Sequence, residues 1–306
     1  MPAGSGGGAG QLAAFVVNAA HPLRPPDLRA RLAAATLARG WAEPLVLMTT
    51  PQDSGAGLAR QALAAGAVVV FAVGGDGTVR ACAAALAGSG VPLAIVPAGS
   101  ANLTANALKI PARLTQALAA GFGGRDRQID LGVADGAVFT AMAGIGIDAA
   151  VVGATTHAAK TLAGWPAYAA AAATQLRRPP AVFSVRLDGG EPVLALARSV
   201  AVGNCGLLPG GFAIMPDARL DDGLLDVAIL APAGLRGWAS VGIRAATGSR
   251  REDGQLARYQ ARRVEIRASA RQPRQADGEL IGAGYSLTVQ VRPGALLVRV
   301  PPGPAR

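Results

Sequence analysis

Residues 68–108 read VVVFAVGGDGTVRACAAALAGSGVPLAIVPAGSANLTANAL and predict the architecture of the chain around them. Two apolar runs, 68–73 and 91–96, show no alternation of apolar and polar residues, which is typical of strands buried on both faces of a parallel sheet. A glycine-rich turn follows each run, at 74–78 and 97–102, and leads into a predicted helix. Turns at the carboxyl ends of neighbouring parallel strands lie side by side, so we expect them to form one binding edge.

The first turn has the composition of a phosphate-binding loop. Gly74, Gly75 and Gly77 let the backbone come close to a ligand and adopt positive φ without steric cost. The helix predicted over 79–87 presents free N–H groups and a partial positive charge at its start, and both suit phosphate. The carboxylate of Asp76 would repel bare phosphate, so we expect it to act through Mg²⁺, a water molecule or a substrate hydroxyl.

The second turn supplies a hydroxyl and an amide, from Ser100 and Asn102, beside Gly99 at another helix start. One glycine-rich turn can be no more than a tight connection, but two turns with these polar groups favour a phosphate site. The chain has no GxxxxGK[ST] motif, which excludes a Walker loop. It also lacks GxGxxG followed by an acidic residue at the next strand end, which disfavours a Rossmann dinucleotide site.

The two turns, Gly74-Gly75-Asp76-Gly77-Thr78 and PAGSANL at 97–103, resemble the diacylglycerol kinase catalytic-domain family. That family includes bacterial soluble diacylglycerol kinases, related lipid kinases and sphingosine kinases. Its second motif is usually PxGTxN, and Ser100 keeps the hydroxyl of the threonine. NAD kinases share the GGDGT turn without this second motif. The resemblance implies that ATP is bound by Gly74, Gly75, Asp76, Gly77, Thr78, Gly99, Ser100 and Asn102.

Two further nucleotide contacts are implied by the resemblance. After the first predicted strand, 11–17, the family has a turn that touches phosphate, and Asn18 matches it. The glycine and hydroxyl that follow in the family are missing here; His21 is either a substitute or a surface histidine. After the strand at 45–48, Thr49 and Thr50 are both candidates for the nucleotide contact, and the alternative is that they cap the next helix, 56–65.

The sequence pattern changes near residue 121 from helices and buried strands to short alternating strands. Asp135-Gly136 and Asp188-Gly189-Gly190 are each flanked by such strands and predict β-hairpins. A continuous strand is expected over 193–202, and helical insertions are expected over 156–176 and 235–246.

The predicted fold class is therefore α/β plus β. We expect a nucleotide-binding α/β domain over 11–126, a β-rich domain over 127–290 and a C-terminal segment over 291–306. The resemblance implies that the first domain has three layers and that the second is a β-sandwich that takes the lipid. It also implies an active site in the cleft between them and a C-terminal segment packed on the first domain.

Two acidic stretches of the second half match family motifs. In GIGID at 144–148, the resemblance places Asp148 near the lipid head group, and the alternative is a helix N-cap. In the stretch 216–226, the resemblance implies an organising Mg²⁺ on Asp222 and on the backbone carbonyls of Arg219 and Leu224. Dense carboxylates around a glycine turn suit a hard cation, although a plain acidic turn would look much the same.

A third acidic stretch, Asp277-Gly278-Glu279, resembles the family motif whose glutamate is the proposed proton acceptor. A lipid hydroxyl is a weak nucleophile, so a carboxylate within hydrogen-bond reach must take its proton as the phosphoryl group transfers. The resemblance assigns that role to Glu279, with Asp76 as the second catalytic residue. Arg80-Ala81 stand where family members often carry Asn-Glu, so a supporting carboxylate is absent.

The composition favours an anionic partner. The chain of 306 residues carries a formal net charge of +10, with 51% hydrophobic and 16% charged residues. Nucleotides and acidic membrane surfaces fit this charge, whereas no motif supports nucleic acid. The nine arginines from Arg244 to Arg274 are either a solvated surface or a patch that attracts anionic lipid head groups. Residues 1–10 have neither a basic nor an apolar run, so we expect no secretory signal there, and the apolar region 141–176 is interrupted by charges and Pro166, so we do not expect it to span a membrane.

These observations predict a cytoplasmic, peripherally membrane-associated transferase of phospholipid metabolism. Its reaction would be transfer of the γ-phosphoryl group of ATP, with Mg²⁺, to a hydroxyl of diacylglycerol or a related lipid. The alternatives are an NAD-kinase-like enzyme with a soluble substrate and a non-catalytic relative that binds nucleotide or lipid. The oligomeric state stays open, with a homodimer among the options.

Overall fold

The computed structural model describes residues 10–21, 25–146, 179–207, 213–251 and 254–302. These residues divide into two compact units. The first unit comprises Met1–Gln128 together with Leu296–Arg306, and the second unit is Ile129–Ala295.

A parallel β-sheet flanked by helices forms the first unit. Its strands are β1 Ala13–Val17, β2 Leu45–Met48, β3 Val69–Gly74 and β4 Leu93–Pro97. Its helices are α1 Pro25–Leu37, α2 Ala56–Ala64, α3 Asp76–Leu86, α4 Leu103–Ala107 and α5 Leu114–Gly123. The strand order is β2-β1-β3-β4, and every pair is parallel. All residues of β1 and β3 are buried, as their unbroken apolar runs predict.

The strand order places a topological switch point between β1 and β3. The chain leaves β1 for β2 on one side and then crosses back to β3 on the other side. In open α/β sheets, ligands bind at the carboxyl ends of the strands where the order reverses in this way. The residues that follow Val17 and Gly74 therefore occupy the position where a ligand is expected.

A β-sandwich forms the second unit. Its strands are β5 Arg125–Ala134, β6 Ala137–Phe139, β7 Met142–Gly146, β8 Ala181–Leu187, β9 Val193–Ala197, β10 Ser199–Gly203, β11 Leu225–Leu230, β12 Leu256–Ala261, β13 Arg263–Ala276 and β14 Glu279–Val300. One layer has the order β12-β11-β10-β7, and the other contains β9-β8-β13-β14. The end of β13 also pairs with β7. The core between the layers includes Ile145, Val200, Val227, Phe183 and Ile266.

Two connected elements complete the description. Helix α6, Gly234–Thr247, covers the outer face of the first layer through Val241. Strand β14 ends in the first unit, where Val298 and Arg299 pair in parallel with Leu93 and Ala94 of β4. Within the described ranges, no helix is both long and apolar enough to cross a membrane.

The Asp-Gly pairs make tight hairpin turns, as predicted at Asp135 and Asp188. Asp135 and Gly136 have φ of 45° and 89°, and Asp188 and Gly189 have 49° and 78°. Positive φ at both central residues is the geometry of a type I′ turn, whose twist matches that of the flanking strands. A third turn of this kind joins β13 to β14 at Asp277 and Gly278, with φ of 46° and 79°.

One strand prediction was wrong. The segment 193–202 forms two strands, β9 and β10, because the chain leaves one layer for the other at Arg198. The Arg198 backbone N–H donates to the Leu230 carbonyl at 2.8 Å, and its Nε donates to the Pro232 carbonyl at 3.3 Å. These bonds hold the corner. The insertion predicted over 156–176 lies outside the described residues.

Candidate functional site

The switch point of the first unit is occupied by polar residues that follow β1 and begin α3. The Asn18 Nδ2 donates to Thr78 Oγ1 at 3.4 Å, and Asn18 Oδ1 accepts the Ala20 backbone N–H at 2.8 Å. The backbone N–H of His21 donates to the Asn18 backbone carbonyl at 2.9 Å. Burial lowers the pKa of the half-buried His21 imidazole. Asn18 and Thr78 are thus brought together as one cluster.

The two glycine-rich turns contact each other directly. A Cβ added to Gly99 would lie 2.5 Å from the Cα of Gly75, and one added to Gly74 would lie 2.7 Å from Thr78 Oγ1. The expectation of positive φ in the first turn was wrong: Gly75 has φ of −91°, and neither Gly74 nor Gly77 has positive φ. Gly75 and Gly99 are needed because the two turns pack together without room for side chains, and Gly74 is needed because a Cβ there would meet Thr78.

Helix α3 begins inside the glycine motif, three residues earlier than predicted. Gly75 is its N-cap, and Asp76, Gly77 and Thr78 form its first turn. No side chain caps this end of the helix. The first N–H groups of a helix have no partner within the helix, and together with the helix dipole they form a binding position for an anion.

Asp76 joins the two turns. Its Oδ1 accepts the backbone N–H of Thr104, the second residue of α4, at 3.3 Å. This bond holds a half-buried carboxylate between the starts of α3 and α4, where the helix dipoles stabilise negative charge. Asp76 is therefore a fixed group beside the anion position.

Asn102 shapes the second turn. It has left-handed backbone geometry, with φ of 47°, and both ends of its amide bond the backbone of Gly99. Oδ1 accepts the Gly99 N–H at 2.9 Å, and Nδ2 donates to the Gly99 carbonyl at 2.7 Å. Ser100 is exposed in this loop, so its side chain is accessible to a ligand.

The two threonines after β2 differ in their environment. Thr49 is buried, and its Oγ1 accepts the Ala19 backbone N–H at 3.0 Å. Thr50 is exposed and accepts the Asp53 backbone N–H at 3.1 Å. Neither threonine caps α2, because Asp53 does so by accepting the N–H groups of Gly55, Gly57 and Leu58. The hydrogen bond from Gly55 is the main reason that the pKa of Asp53 is lowered.

In the second unit, the hairpin that carries Glu279 is anchored by its neighbour Asp277. Asp277 is 7% exposed, and its carboxylate accepts four hydrogen bonds: from the Thr140 N–H and hydroxyl, at 2.7 and 2.9 Å, and from the Ala141 and Met142 N–H groups, at 2.8 and 2.9 Å. Burial raises the pKa of Asp277, and these bonds oppose the rise. Glu279 is exposed and begins β14, opposite Ala276.

The strand that leads to Asp148 lies beside this hairpin. In β7, Ala143 pairs with Ala276 and Gly144 pairs with Gln275. The hairpin turn and the first part of GIGID are therefore hydrogen-bonded neighbours. Asp148 itself lies outside the described residues.

The carboxylates of the acidic stretch 216–226 do not converge. Asp217 forms an ion pair with Arg250 at 2.5 Å, and Asp222 Oδ1 accepts the Leu224 N–H at 3.1 Å. Asp226 is buried, with Oδ1 bonded to Gln260 Nε2 at 3.2 Å and Oδ2 without a hydrogen bond. In the part of the chain that the structure describes, no three His, Cys, Asp or Glu side chains form a metal-binding group. One carboxylate with two carbonyls is still a donor set of the kind that hard cations accept.

Asp130 is a buried residue of this region that the sequence analysis missed. Its Oδ1 accepts the Gly294 N–H and its Oδ2 accepts the Gly223 N–H, both at 2.7 Å. Its own N–H donates to the Leu220 carbonyl at 2.6 Å. Asp130 thereby fixes the turn that contains Asp222. The signal was a carboxylate between Ile129 and Leu131 in an apolar strand, because a buried Asp needs hydrogen-bond partners.

A sheet of this kind with a glycine-rich edge, followed by a β-sandwich, defines a two-domain kinase fold, and comparisons with known proteins agree. Residues 27–134 match the diacylglycerol kinase catalytic domain, and residues 141–300 match the YegS C-terminal NAD kinase beta sandwich-like domain. A crystal structure of a diacylglycerol kinase from Bacillus anthracis str. Sterne has a TM-score of 0.72 at 19% identity, covering 96% of this chain and 97% of that chain. Another structure from that organism reaches 0.81 at 20% identity, covering 98% of both chains.

Curated relatives extend over nearly the whole chain. A protein of Pseudomonas aeruginosa (strain UCBPP-PA14) named "Probable lipid kinase YegS-like" is 34% identical over 290 residues, which are 92% of this chain and 93% of the relative. A protein of Pseudomonas putida with the same name is 36% identical over 250 residues, covering 80% and 81%. The chain therefore belongs to the diacylglycerol kinase catalytic-domain family, among its YegS-like lipid kinases.

Proposed function

We propose that this lipid kinase transfers the γ-phosphoryl group of ATP to a hydroxyl of diacylglycerol or a related lipid, with Mg²⁺. The observation that carries the proposal is the contact between the two glycine turns at the carboxyl edge of the sheet, with Asp76 bonded to Thr104 across them. When bound, ATP supplies the phosphoryl group and Mg²⁺ offsets the negative charge of its phosphates.

The phosphates would be held by backbone rather than by side-chain cations. The start of α3, which has no side-chain cap, would present N–H groups at the turn of Gly75 to Thr78, and Gly99 lets the second turn pack against this one. Ser100 would add a hydroxyl donor from its exposed position. Asn18 and Asn102 would act by holding these loops in shape, since their amides are bonded to the turns.

Of the two threonines, Thr50 is the better candidate for contacting the nucleotide directly. Its side chain is exposed at the same sheet edge, whereas the Thr49 hydroxyl is buried and bonded to Ala19. Thr49 would support the loop after β1 instead.

Asp76 would bind Mg²⁺ or its water on the phosphate side of the turns. A carboxylate that is fixed in advance needs no reorganisation when charge develops in the transition state. An organising Mg²⁺ on Asp222 and on the carbonyls of Arg219 and Leu224 would stabilise the turn that Asp130 already holds.

Glu279 would take the proton from the lipid hydroxyl. It is exposed, and it stands two residues after a carboxylate that is locked in place by four hydrogen bonds. A rigid support of this kind holds a general base in a defined position. Asp148 would contact the lipid head group.

The test is to incubate the protein with γ-labelled ATP, Mg²⁺ and mixed micelles, each containing one lipid, with NAD as a soluble acceptor. We expect label in one lipid, and we expect Glu279→Gln to lower kcat by about a hundredfold to ten-thousandfold with ATP affinity retained. Glu43→Gln, at an exposed carboxylate of the first unit, is the matched control. Label in NAD alone, or full activity of Glu279→Gln, would refute the proposal.

A further inference from the structure

The outer face of the hairpin β8–β9 is apolar where an exposed sheet face is normally polar. Leu194, Leu196 and Val182 are 70%, 62% and 46% exposed. Val182 pairs with Leu196, and Ser184 pairs with Leu194, so the three apolar side chains are neighbours on one face. We call this surface, Val182, Leu194 and Leu196, the β8–β9 face.

The opposite side of the same strands already supplies the core. Phe183 and Val185 are fully buried, and Ala195 packs against the same cluster. An antiparallel sheet with one face in the core usually turns polar residues outward. The exposed leucines therefore contribute nothing to the core, and such a patch is typical of an interaction surface.

Positive charge borders the β8–β9 face. Arg186 lies on β8 and Arg267 lies on β13 opposite Ser184, and both are exposed. Among the described residues, neither guanidinium group has a hydrogen bond or an ion pair. The neighbouring charges are paired: Arg263 Nε lies 3.0 Å from Glu265 Oε1, and Asp188 Oδ1 accepts the Arg262 and Arg263 N–H groups.

The charge identifies the occupant. A two-fold contact between two copies of the chain would place the same arginines near each other and cost energy. An anionic bilayer attracts basic residues at its surface and accepts apolar side chains at the level of its head groups. The combination of three apolar side chains with two unpaired arginines fits an anionic bilayer.

We propose that the β8–β9 face docks the protein on an anionic membrane, with Leu194, Leu196 and Val182 inserted among the head groups and Arg186 and Arg267 on lipid phosphates. This inference rests on the proposed function, because an enzyme that phosphorylates a bilayer lipid must meet the bilayer. It adds which surface does so and which lipid charge it requires.

Vesicle flotation tests the docking without any catalysis. We expect the protein to float with vesicles of equal parts phosphatidylcholine and phosphatidylglycerol, and to do so much less with phosphatidylcholine alone. Leu194→Ser/Leu196→Ser should weaken binding about tenfold or more, and Arg186→Gln or Arg267→Gln about fivefold each. The matched controls are Leu37→Ser, at a leucine 50% exposed on α1, and Arg31→Gln, at an exposed arginine of the same helix.

Three results would overturn the inference: no flotation of the wild-type protein with either vesicle, equal losses in the controls, or a dimer that Leu194→Ser/Leu196→Ser dissociates. Circular dichroism and thermal unfolding establish that each variant is folded. Failure of the proposed function is separate, because it would appear as flotation that depends on the β8–β9 face with no label transferred to any lipid.

Discussion

The two regions that carry the candidate chemistry are built in opposite ways. In the first unit, the turns at Gly75 and Gly99 hold their shape by backbone contact, and no side chain caps the start of α3. In the second unit, the Glu279 hairpin is held by a buried carboxylate, Asp277, with every hydrogen bond made inside the protein. The comparison teaches that a phosphate site needs space and unbonded amides, whereas a general base needs a rigid support.

The largest effect on stability is expected at Asp277. Asp277→Ala would leave the N–H groups of Thr140, Ala141 and Met142 buried without an acceptor, and we expect a loss of about 3 kcal/mol or more in the free energy of unfolding. Urea unfolding measures it. Asp188→Ala is the control, since this carboxylate accepts two N–H groups at an exposed turn and should cost about 1 kcal/mol. Equal losses of unfolding free energy in the two variants would show that the buried Asp277 carboxylate stabilises the fold no more than the exposed one of Asp188.

An intermediate effect is expected at Gly99. Gly99→Ala places a Cβ 2.5 Å from the Gly75 Cα, so the turns must separate, with a loss of about 2 kcal/mol. We expect the Kd for ATP, measured by titration calorimetry, to rise about tenfold or more because the backbone donors move. Gly123→Ala, where an added Cβ meets nothing within 4 Å, is the control and should leave ATP binding unchanged. An unchanged Kd for ATP in Gly99→Ala would show that nucleotide binding does not depend on the contact between the two turns.

The smallest effect is a pH dependence at Asp226. Burial is the main reason that its pKa is raised from 3.8 to about 6, so the folded protein binds a proton that the unfolded chain releases between these values. Asp226 therefore lowers stability as pH rises through this window, and the penalty is complete above pH 6. We expect Asp226→Asn to gain about 1 kcal/mol over the wild type at pH 7 and little at pH 4, by urea unfolding.

The control for the pH dependence is Asp217. Its hydrogen bond to Arg250 lowers its pKa, so its contribution is present above pH 4 and is lost as pH falls through the folded-state pKa. Asp217→Asn should therefore change stability in the opposite direction at pH 7. If Asp226→Asn gained the same stability at pH 4 and at pH 7, the ionised Asp226 carboxylate would not be the cause of the penalty.

Features that depend on neighbouring residues were predictable from the sequence. The strand, turn and helix around Asp76 follow from one apolar run and its glycines, and the hairpin at Asp135 follows from one Asp-Gly pair. The Asp277 hairpin marks the limit of such predictions. Its turn is also local, but residues 140–142, which donate hydrogen bonds to the Asp277 carboxylate, are remote in sequence.

Features set by distant contacts were not predictable. Asp130 is held by Gly294 and Gly223, which lie 164 and 93 positions away. The glycines of the first turn were read as a source of positive φ, but their actual use is the contact between Gly75 and Gly99, which no local pattern reveals. The corner at Arg198 likewise depends on Leu230 and Pro232 from another part of the chain.

The central claim is that the glycine turns bind ATP while the Glu279 hairpin performs proton removal. Single-turnover transfer from saturating γ-labelled ATP to the lipid acceptor tests it in Glu279→Gln and Gly99→Ala. We predict that Glu279→Gln binds ATP with wild-type affinity and transfers about a hundredfold more slowly or worse, whereas Gly99→Ala recovers most of its rate at high ATP. A Glu279→Gln protein that transfers at the wild-type rate would contradict the account.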